Sequence, residues 1–226
     1  MLWLFHEREL GLKNRKTPLR ICSIGCGPCS ELVAFEEYYR NKDLPFEFSY
    51  TGFDTNTIWN PIQGYIASLS SYPDKVSFCH EDVFEHYAKV DERPNIIILN
   101  YMLSDMLKYG KEAFVAFLKK LGEFIEELPS CALLINDINL GISDTQPRFY
   151  YSSIVNMIRK NSKGHKVSVT CSHFKDSKKN YYPYGNERVR SDVLFKVPYE
   201  ISTKFVTNTE CHSAQLLIIK YKENAK

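Results

Sequence analysis

The sequence predicts an α/β domain built on a doubly wound, mostly parallel sheet with helices on both faces. Three observations predict it. From residue 19 onward, segments of strand character alternate with segments of helical period. Two of the strand-like runs, 95-NIIILNY-101 and 131-CALLIND-137, are apolar almost throughout, as expected of strands covered on both faces. The first strand runs directly into a glycine turn, 25-GCG-27, and then into a helical pattern, the order of a βα unit.

Each element follows in order. A Lys- and Pro-containing stretch, 13-KNRKTP-18, separates a short N-terminal helix candidate from the first strand, 19-LRICSI-24. Over 30–40, Leu32, Phe35 and Tyr39 stand at helical spacing, and 46-FEFSYTGF-53 alternates as a strand. The next helical stripe is Ile58, Ile62, Tyr65, Ile66 and Leu69, with Pro61 tolerated in the first turn. A strand over 75-KVSFCHE-81 follows, then the apolar run 95–101. The clearest amphipathic helix carries Phe114, Phe117, Leu118, Leu121, Phe124, Ile125 and Leu128, and Pro129 ends it before the strand 131–137. Asp144 is placed to cap a helix over 146–160 with Tyr151, Ile154, Val155 and Ile158 inward. The last strands are 165-HKVSVTC-171 and 214-AQLLIIKY-221, with a further strand expected near Val193–Val197.

The length suits one domain over 1–226, with 1–18 as an N-terminal extension and 172–212 as a long connection before the last strand. A formal charge of +2 gives no global reason to expect a nucleic-acid partner. Seven cysteines cannot all pair internally, and Cys22, Cys79, Cys131 and Cys171 sit inside strand-like runs as small buried hydrophobes. A reducing, intracellular compartment (cytoplasmic or nuclear) and no membrane are the expectation. The apolar start MLWLF is too short for a signal-peptide core, and no stretch reaches the length of a membrane span.

The stretch 22-CSIGCGPC-29 carries two incompatible patterns. Cys22, Cys26 and Cys29 stand as C-x3-C-x2-C, the spacing with which radical enzymes hold an iron–sulfur cluster that cleaves S-adenosylmethionine. Gly25 and Gly27 stand as G-x-G, which lets backbone approach a ligand at the carboxyl end of the sheet. Placing Cys22 in a strand weakens the metal pattern, and Pro28 stiffens the last gap. The amides opening the following helix suit a carboxylate or phosphate, although G-x-G alone also serves plain structural turns. Two further strand ends are acidic. Asp54, after 52-GF-53, is placed to accept from ribose hydroxyls or to cap the next helix. Asp82, in 80-HEDV-83, is placed to accept from an adenine amino group while the next backbone N–H donates to the ring.

Taken in order, SIGCGPCSE, GFDTN, HEDVF and NIIILNYMLSD resemble the motifs of class I S-adenosylmethionine-dependent methyltransferases, over residue 19 to the end. The resemblance implies a Rossmann-like sheet whose last strand is antiparallel, and methyl transfer from S-adenosyl-L-methionine. It places Gly25, Cys26 and Gly27 at the methionine part of the cofactor, Asp54 at the ribose, Asp82 and Val83 at the adenine, and Asn100 and Tyr101 at the transfer site. Two positions depart from the family pattern: Ser23 stands where an acid is usual, and Cys29 where a third glycine is usual.

The remaining patterns narrow the chemistry. A dinucleotide-binding G-x-G-x-x-G is missing, since position 30 is Ser; there is no G-x-x-x-x-G-K-[ST] phosphate loop and no H-E-x-x-H. No metal site is expected. Tyr101, Asp105 and Asp137 are the side chains expected nearest the open end, with Tyr101 and Asp105 as the catalytic candidates. Asp105 serves equally well as a helix cap, and His80 is a base or a strand-end histidine. Over 172–212, Lys175, Lys178, Lys179, Arg188 and Arg190 mix with Tyr181, Tyr182 and Tyr184, a composition suited to an anionic or nucleic-acid acceptor and equally to a solvated loop. A partner subunit, and a methyltransferase-like scaffold without catalysis, remain compatible with the pattern.

Overall fold

The computed structural model describes residues 18–40, 47–138, 150–162, 164–174, 186–190, 199, 203–204 and 213–221. In chain order its elements are β1 (Leu19–Ile24), α1 (Ser30–Arg40), β2 (Phe48–Phe53), α2 (Asn60–Leu69), β3 (Val76–Cys79), α3 (Val83–Tyr87) and β4 (Ile96–Asn100). Then come α4 (Met102–Tyr109), α5 (Lys111–Glu127), β5 (Cys131–Ile138), α6 (Tyr150–Asn161), β6 (Lys166–Phe174), β7 (Asn186–Arg190) and β8 (Ser213–Tyr221).

The strands form one eight-stranded sheet in the order β3-β2-β1-β4-β5-β8-β6-β7. The first five are mutually parallel, and β8 runs antiparallel to both β5 and β6. The chain reverses direction of growth at β1, so the carboxyl ends of β1 and β4 open a crevice between neighbours whose helices leave on opposite faces. β7 lies inside the long connection, parallel to β6 at the sheet edge. The strand expected near Val193–Val197 and the cap at Asp144 lie outside the described residues.

Strand alternation divides the interior into two layers. One contains Cys22, Ile24, Phe53, Ile97, Leu99, Leu133, Ile135, Leu216 and Ile218 under α3, α5 and α6. The expected inward residues of α5 and α6 are all buried there. The other layer contains Leu19, Ile21, Phe48, Tyr50, Ile96, Ile98, Leu134 and Leu217 under Leu32 and Phe35 of α1. A lysine secures the first layer: Lys220 is buried and donates through Nζ to Ile125 O (2.7 Å), Glu126 O (3.2 Å) and Leu128 O (2.7 Å). It thereby satisfies the orphan carbonyls at the end of α5.

One helix faces the other way from its pattern. Of the stripe Ile58, Ile62, Tyr65, Ile66 and Leu69, only Ile66 packs against the core, and the other four are exposed. The residue of α2 that is buried is Gln63. Polar tethers set this orientation. Gln63 Nε2 donates to Gly27 O at 2.8 Å, and Glu36 of α1 accepts from Ser70 Oγ and from Ser71 N–H just beyond the helix. A helix over an edge strand has only a narrow floor to cover, and these bonds select which stripe lies on it.

Candidate functional site

The cysteines separate on the two sides of the sheet. Cys22 belongs to the layer under α5, while Cys26 and Cys29 belong to the layer under α1. Period-two alternation enforces this, because Cys22 points away from the face on which the turn folds. Burial pushes the thiols of Cys22 and Cys29 up to about 12 and raises that of Cys26 as well, so each is held as a neutral thiol. The three sulfurs do not converge, which overturns the iron–sulfur pattern. Among the described residues no cluster of metal-ligating side chains occurs.

The glycine turn is tied down mainly by its own amides. Gly25 N–H and Cys26 N–H both donate to Phe53 O, Gly27 N–H donates to Asp54 Oδ2 at 2.8 Å, and Cys29 N–H donates to Cys26 O. Pro28 has no N–H. The turn itself therefore does not present a row of free amides to a phosphate. Gly25 (φ 65°) is required by a side chain: a Cβ there would lie 2.6 Å from Met102 Cγ. Gly27 (φ 51°) is different, for a Cβ there would meet only the Trp59 ring, at 3.9 Å. Cys29 has φ 52°, in the left-handed region where the family's third glycine is at ease and an L-residue is strained. Its side chain is completely buried, as is most of Cys26. Cys26 can therefore contribute backbone, and its thiol accepts from Gln63 Nε2 at 3.6 Å.

Beneath the turn lies a polar group that the motif comparison did not single out. Ser23 Oγ donates to Glu31 Oε1 at 2.5 Å and Tyr50 OH donates to the same oxygen at 2.8 Å. Glu31 stands in the first turn of α1, and its carboxyl reaches back to Ser23 on β1. Burial raises its pKa, against the opposing effect of Ser23, its own backbone amide, Tyr50 and the Asn100 side chain. Asn100 and Asn136 stand opposite each other at the ends of β4 and β5, and Asn136 Nδ2 donates to Asn100 Oδ1 at 3.0 Å. Two buried acceptors in this cluster, Glu31 Oε2 and Asn136 Oδ1, accept no well-formed hydrogen bond, although the Asn100 side chain and the Glu31 amide lie close to the Glu31 carboxyl. Buried acceptors without donors are costly unless a ligand completes them.

The other expected residues divide into three groups. Asp54 stays at the crevice, with Oδ2 on Gly27 N–H and Oδ1 on Asn56 N–H, leaving a lone pair on each oxygen; His80 Nδ1 contacts Asp54 O at 2.8 Å. Asp82 is the N-cap of α3, accepting from Phe84 N–H and Glu85 N–H through Oδ1, while Oδ2 meets Lys120 Nζ at 3.3 Å. The carboxylate expected at an adenine thus caps a helix through Oδ1 while Oδ2 faces the half-exposed Lys120, and Val83 beside it is buried. Asp137 is fully buried and accepts from Ser104 N–H, capping α4 from the neighbouring strand. That departs from its expected place at the open end. Asp105 lies on the exposed side of α4, 2.5 Å from Lys108, and caps neither helix. Tyr101 stays at the end of β4, partly exposed, with φ 56° and its N–H on Asn136 O at 2.7 Å. Such left-handed strain in a bulky residue is uncommon and concentrates at functional positions.

The fold recurs in solved structures. The METTL16 MTase domain superposes with a TM-score of 0.53 at 8% identity, over 96% of this chain and 65% of that one. An O-methyltransferase family protein from Burkholderia thailandensis gives 0.52 at 11% identity, over 100% of this chain and 58% of that one. The citrinin polyketide synthase CMeT domain gives 0.51 at 14% identity, over 97% and 50% respectively.

The chain has the class I methyltransferase fold. At these identities the likeness establishes the architecture alone, and the chain spans between half and two thirds of the length of those three solved chains. No family model and no curated protein matches the sequence significantly. On the methyltransferase fold, the crevice above β1, β2 and β4 is where Gly27, Asp54, Asn100 and Tyr101 gather. The motif reading missed Glu31, Tyr50, Trp59, Gln63 and Asn136. A signal for one was present, since 97-IILN-100 and 133-LLIN-136 end two adjacent buried strands in the same asparagine. Among the described residues, no helix is long and apolar enough to cross a membrane.

Proposed function

We propose that the chain binds S-adenosyl-L-methionine and transfers its methyl group to an acceptor. The observation that carries this reading is the pair of unpartnered buried acceptors, Glu31 Oε2 and Asn136 Oδ1, beneath the glycine turn. Acceptors in that number, next to a carboxyl, suit a ligand that brings a cationic amine. A phosphate is disfavoured there, because the turn amides are engaged internally and Glu31 already sits at the N-terminus of α1. That argues against a dinucleotide and for an amino-acid-bearing nucleoside.

The residues present fit such a cofactor. Glu31 and Asn136 would hold its ammonium group, with Asn100 orienting both. Asp54 would accept from the ribose hydroxyls with its remaining lone pairs, and the open side of Gly27, beside Trp59, leaves room for the chain. Asp82, through the oxygen that faces Lys120, and the backbone of Val83 would serve the adenine. When bound, the cofactor supplies an electrophilic methyl on a sulfonium. The chain's own contribution is positioning and exclusion of water, which can account for several kcal/mol of barrier, about 7–11 in well-oriented cases. Tyr101 would border the acceptor's entry. On sequence pattern, 172–212 would meet an acceptor of anionic character.

The test is calorimetric titration with S-adenosylmethionine and S-adenosylhomocysteine, followed by transfer of labelled methyl to a panel of acceptors. Binding of both supports the cofactor assignment, and labelled product supports the enzyme. Binding without transfer favours a scaffold, for which Ser23 and the strained Cys29 already speak. Binding of neither overturns the reading.

A further inference from the structure

The crevice has a second wall beside Asp54. From Asp54 to Trp59 the backbone folds into a tight bend. Asp54 Oδ1 accepts from Asn56 N–H at 2.9 Å, Asn56 Oδ1 accepts from Ile58 N–H at 3.2 Å, and Trp59 N–H donates to Asn56 O at 3.4 Å. Gln63 stands four residues after Trp59, hence on the same side of α2, and its bond to Gly27 O at 2.8 Å pins that side to the glycine turn. Gly27 therefore borders two groups. Its N–H meets Asp54 Oδ2 at 2.8 Å, and its open side faces the indole, whose Cε2 lies 3.9 Å from the place of a Cβ. Cε2 is bonded to Nε1, so the polar edge of Trp59 lies at this opening. The side chain is half-buried, yet among the described residues its Nε1–H meets no acceptor. A buried indole N–H ordinarily finds one.

We propose that Trp59 is a ribose-binding residue, its Nε1–H donating to the ribose hydroxyl whose proton Asp54 accepts. The inference rests on the nucleoside reading above and names a donor which that reading lacks. A carboxylate only accepts, so it satisfies the hydrogen of a ribose hydroxyl and leaves the hydroxyl oxygen without a donor. The turn cannot supply one, because the amides of Gly25, Cys26, Gly27 and Cys29 are engaged. In a crevice that excludes water, an oxygen left without its donor costs affinity. A carboxylate and an indole N–H together match a group that both donates and accepts. The composition of the wall agrees. Residues 55–73 contain no lysine or arginine. A cationic donor there would pair with Asp54 and take the lone pairs that a ribose needs, whereas a neutral indole leaves them free.

Calorimetric titration of wild type and Trp59→Phe with S-adenosylhomocysteine and its 2′-deoxy and 3′-deoxy forms tests this. Phenylalanine keeps a flat ring and removes the N–H. The variant's affinity for S-adenosylhomocysteine is expected to fall roughly three- to tenfold, the scale of one neutral hydrogen bond. Both proteins are expected to bind equally the deoxy form that lacks the contacted hydroxyl, while the loss persists for the other. A second readout leaves position 59 intact. Trp3→Phe makes Trp59 the one tryptophan of the chain, and its emission is expected to change as S-adenosylhomocysteine binds. Equal binding of all three ligands by wild type and Trp59→Phe overturns the inference. So does an equal loss for all three, which makes Trp59 a packing residue, and so does unchanged emission at saturation. A wild type that binds none of the three overturns the cofactor reading itself, and this inference with it.

Discussion

Replacing Glu31 by glutamine separates binding from folding. The substitution keeps the shape and the oxygen that accepts from Ser23 and Tyr50, but puts an amide in place of the unpartnered Oε2. A charge-assisted hydrogen bond contributes about 1.5–3 kcal/mol, so the affinity for S-adenosylmethionine is expected to fall roughly tenfold to 150-fold. Adenosine, which has no ammonium, is expected to bind both proteins equally. Stability moves the other way. The folded-state pKa of Glu31 is raised by burial, so the folded protein holds this proton more tightly than the unfolded chain does. Wild-type stability therefore declines as pH rises from the ordinary carboxylate range to the folded pKa, and the glutamine variant lacks that decline. By the same linkage an ammonium ligand must displace the proton at low pH, so affinity rises with pH up to the folded pKa and proton release accompanies binding. Calorimetry in two buffers of different ionisation enthalpy reads the proton count and both affinities. Unchanged S-adenosylmethionine affinity in a folded Glu31→Gln protein refutes the assignment of the ammonium to this cluster.

Cys29, at φ 52° and fully buried, is expected to reverse the usual order of small substitutions: Cys29→Gly should be at least as stable as Cys29→Ala in urea unfolding, because glycine relieves about 1 kcal/mol of left-handed strain. A glycine variant less stable than alanine by the ordinary margin would remove the strain argument. Gly27→Ala is expected to cost only about 1 kcal/mol of stability, since its Cβ has room, yet to lower S-adenosylmethionine affinity more than tenfold. Gly25→Ala, driven against Met102 at 2.6 Å, should melt well below Gly27→Ala. Lys220→Met removes the donor from three carbonyls at the end of α5 and is expected to destabilise by about 2–3 kcal/mol; a loss under about 0.5 kcal/mol would show that those carbonyls find other partners.

Much of the architecture was legible in the sequence, because periodicity reports local geometry directly. The unbroken apolar runs of β4 and β5 identify central strands, and the heptad-like rows of α5 and α6 name the residues that are in fact buried. The strand-end residues Gly27, Asp54, Asn100 and Tyr101 were also visible, since a residue's place at the end of an apolar run is a property of the chain alone. The α2 stripe shows where pattern reading stops. It distinguishes apolar from polar rows but not which row a tether turns inward; Gln63 and Glu36 decided that through bonds to residues distant in sequence.

The same limit applies to the site. The sequence by itself determined the order of strands and helices, the position of the glycine turn, and the acids and asparagines that end the strands. Only the tertiary structure decided what those residues do. It set Cys22 on the opposite face from Cys26 and Cys29, turned Asp82 and Asp137 into helix caps, and brought the Glu31 carboxyl back to Ser23 and Tyr50. The physical reason is that a side chain's role depends on which donors and acceptors lie within about 3 Å of it, and at this site the partners come from five segments joined only by the fold.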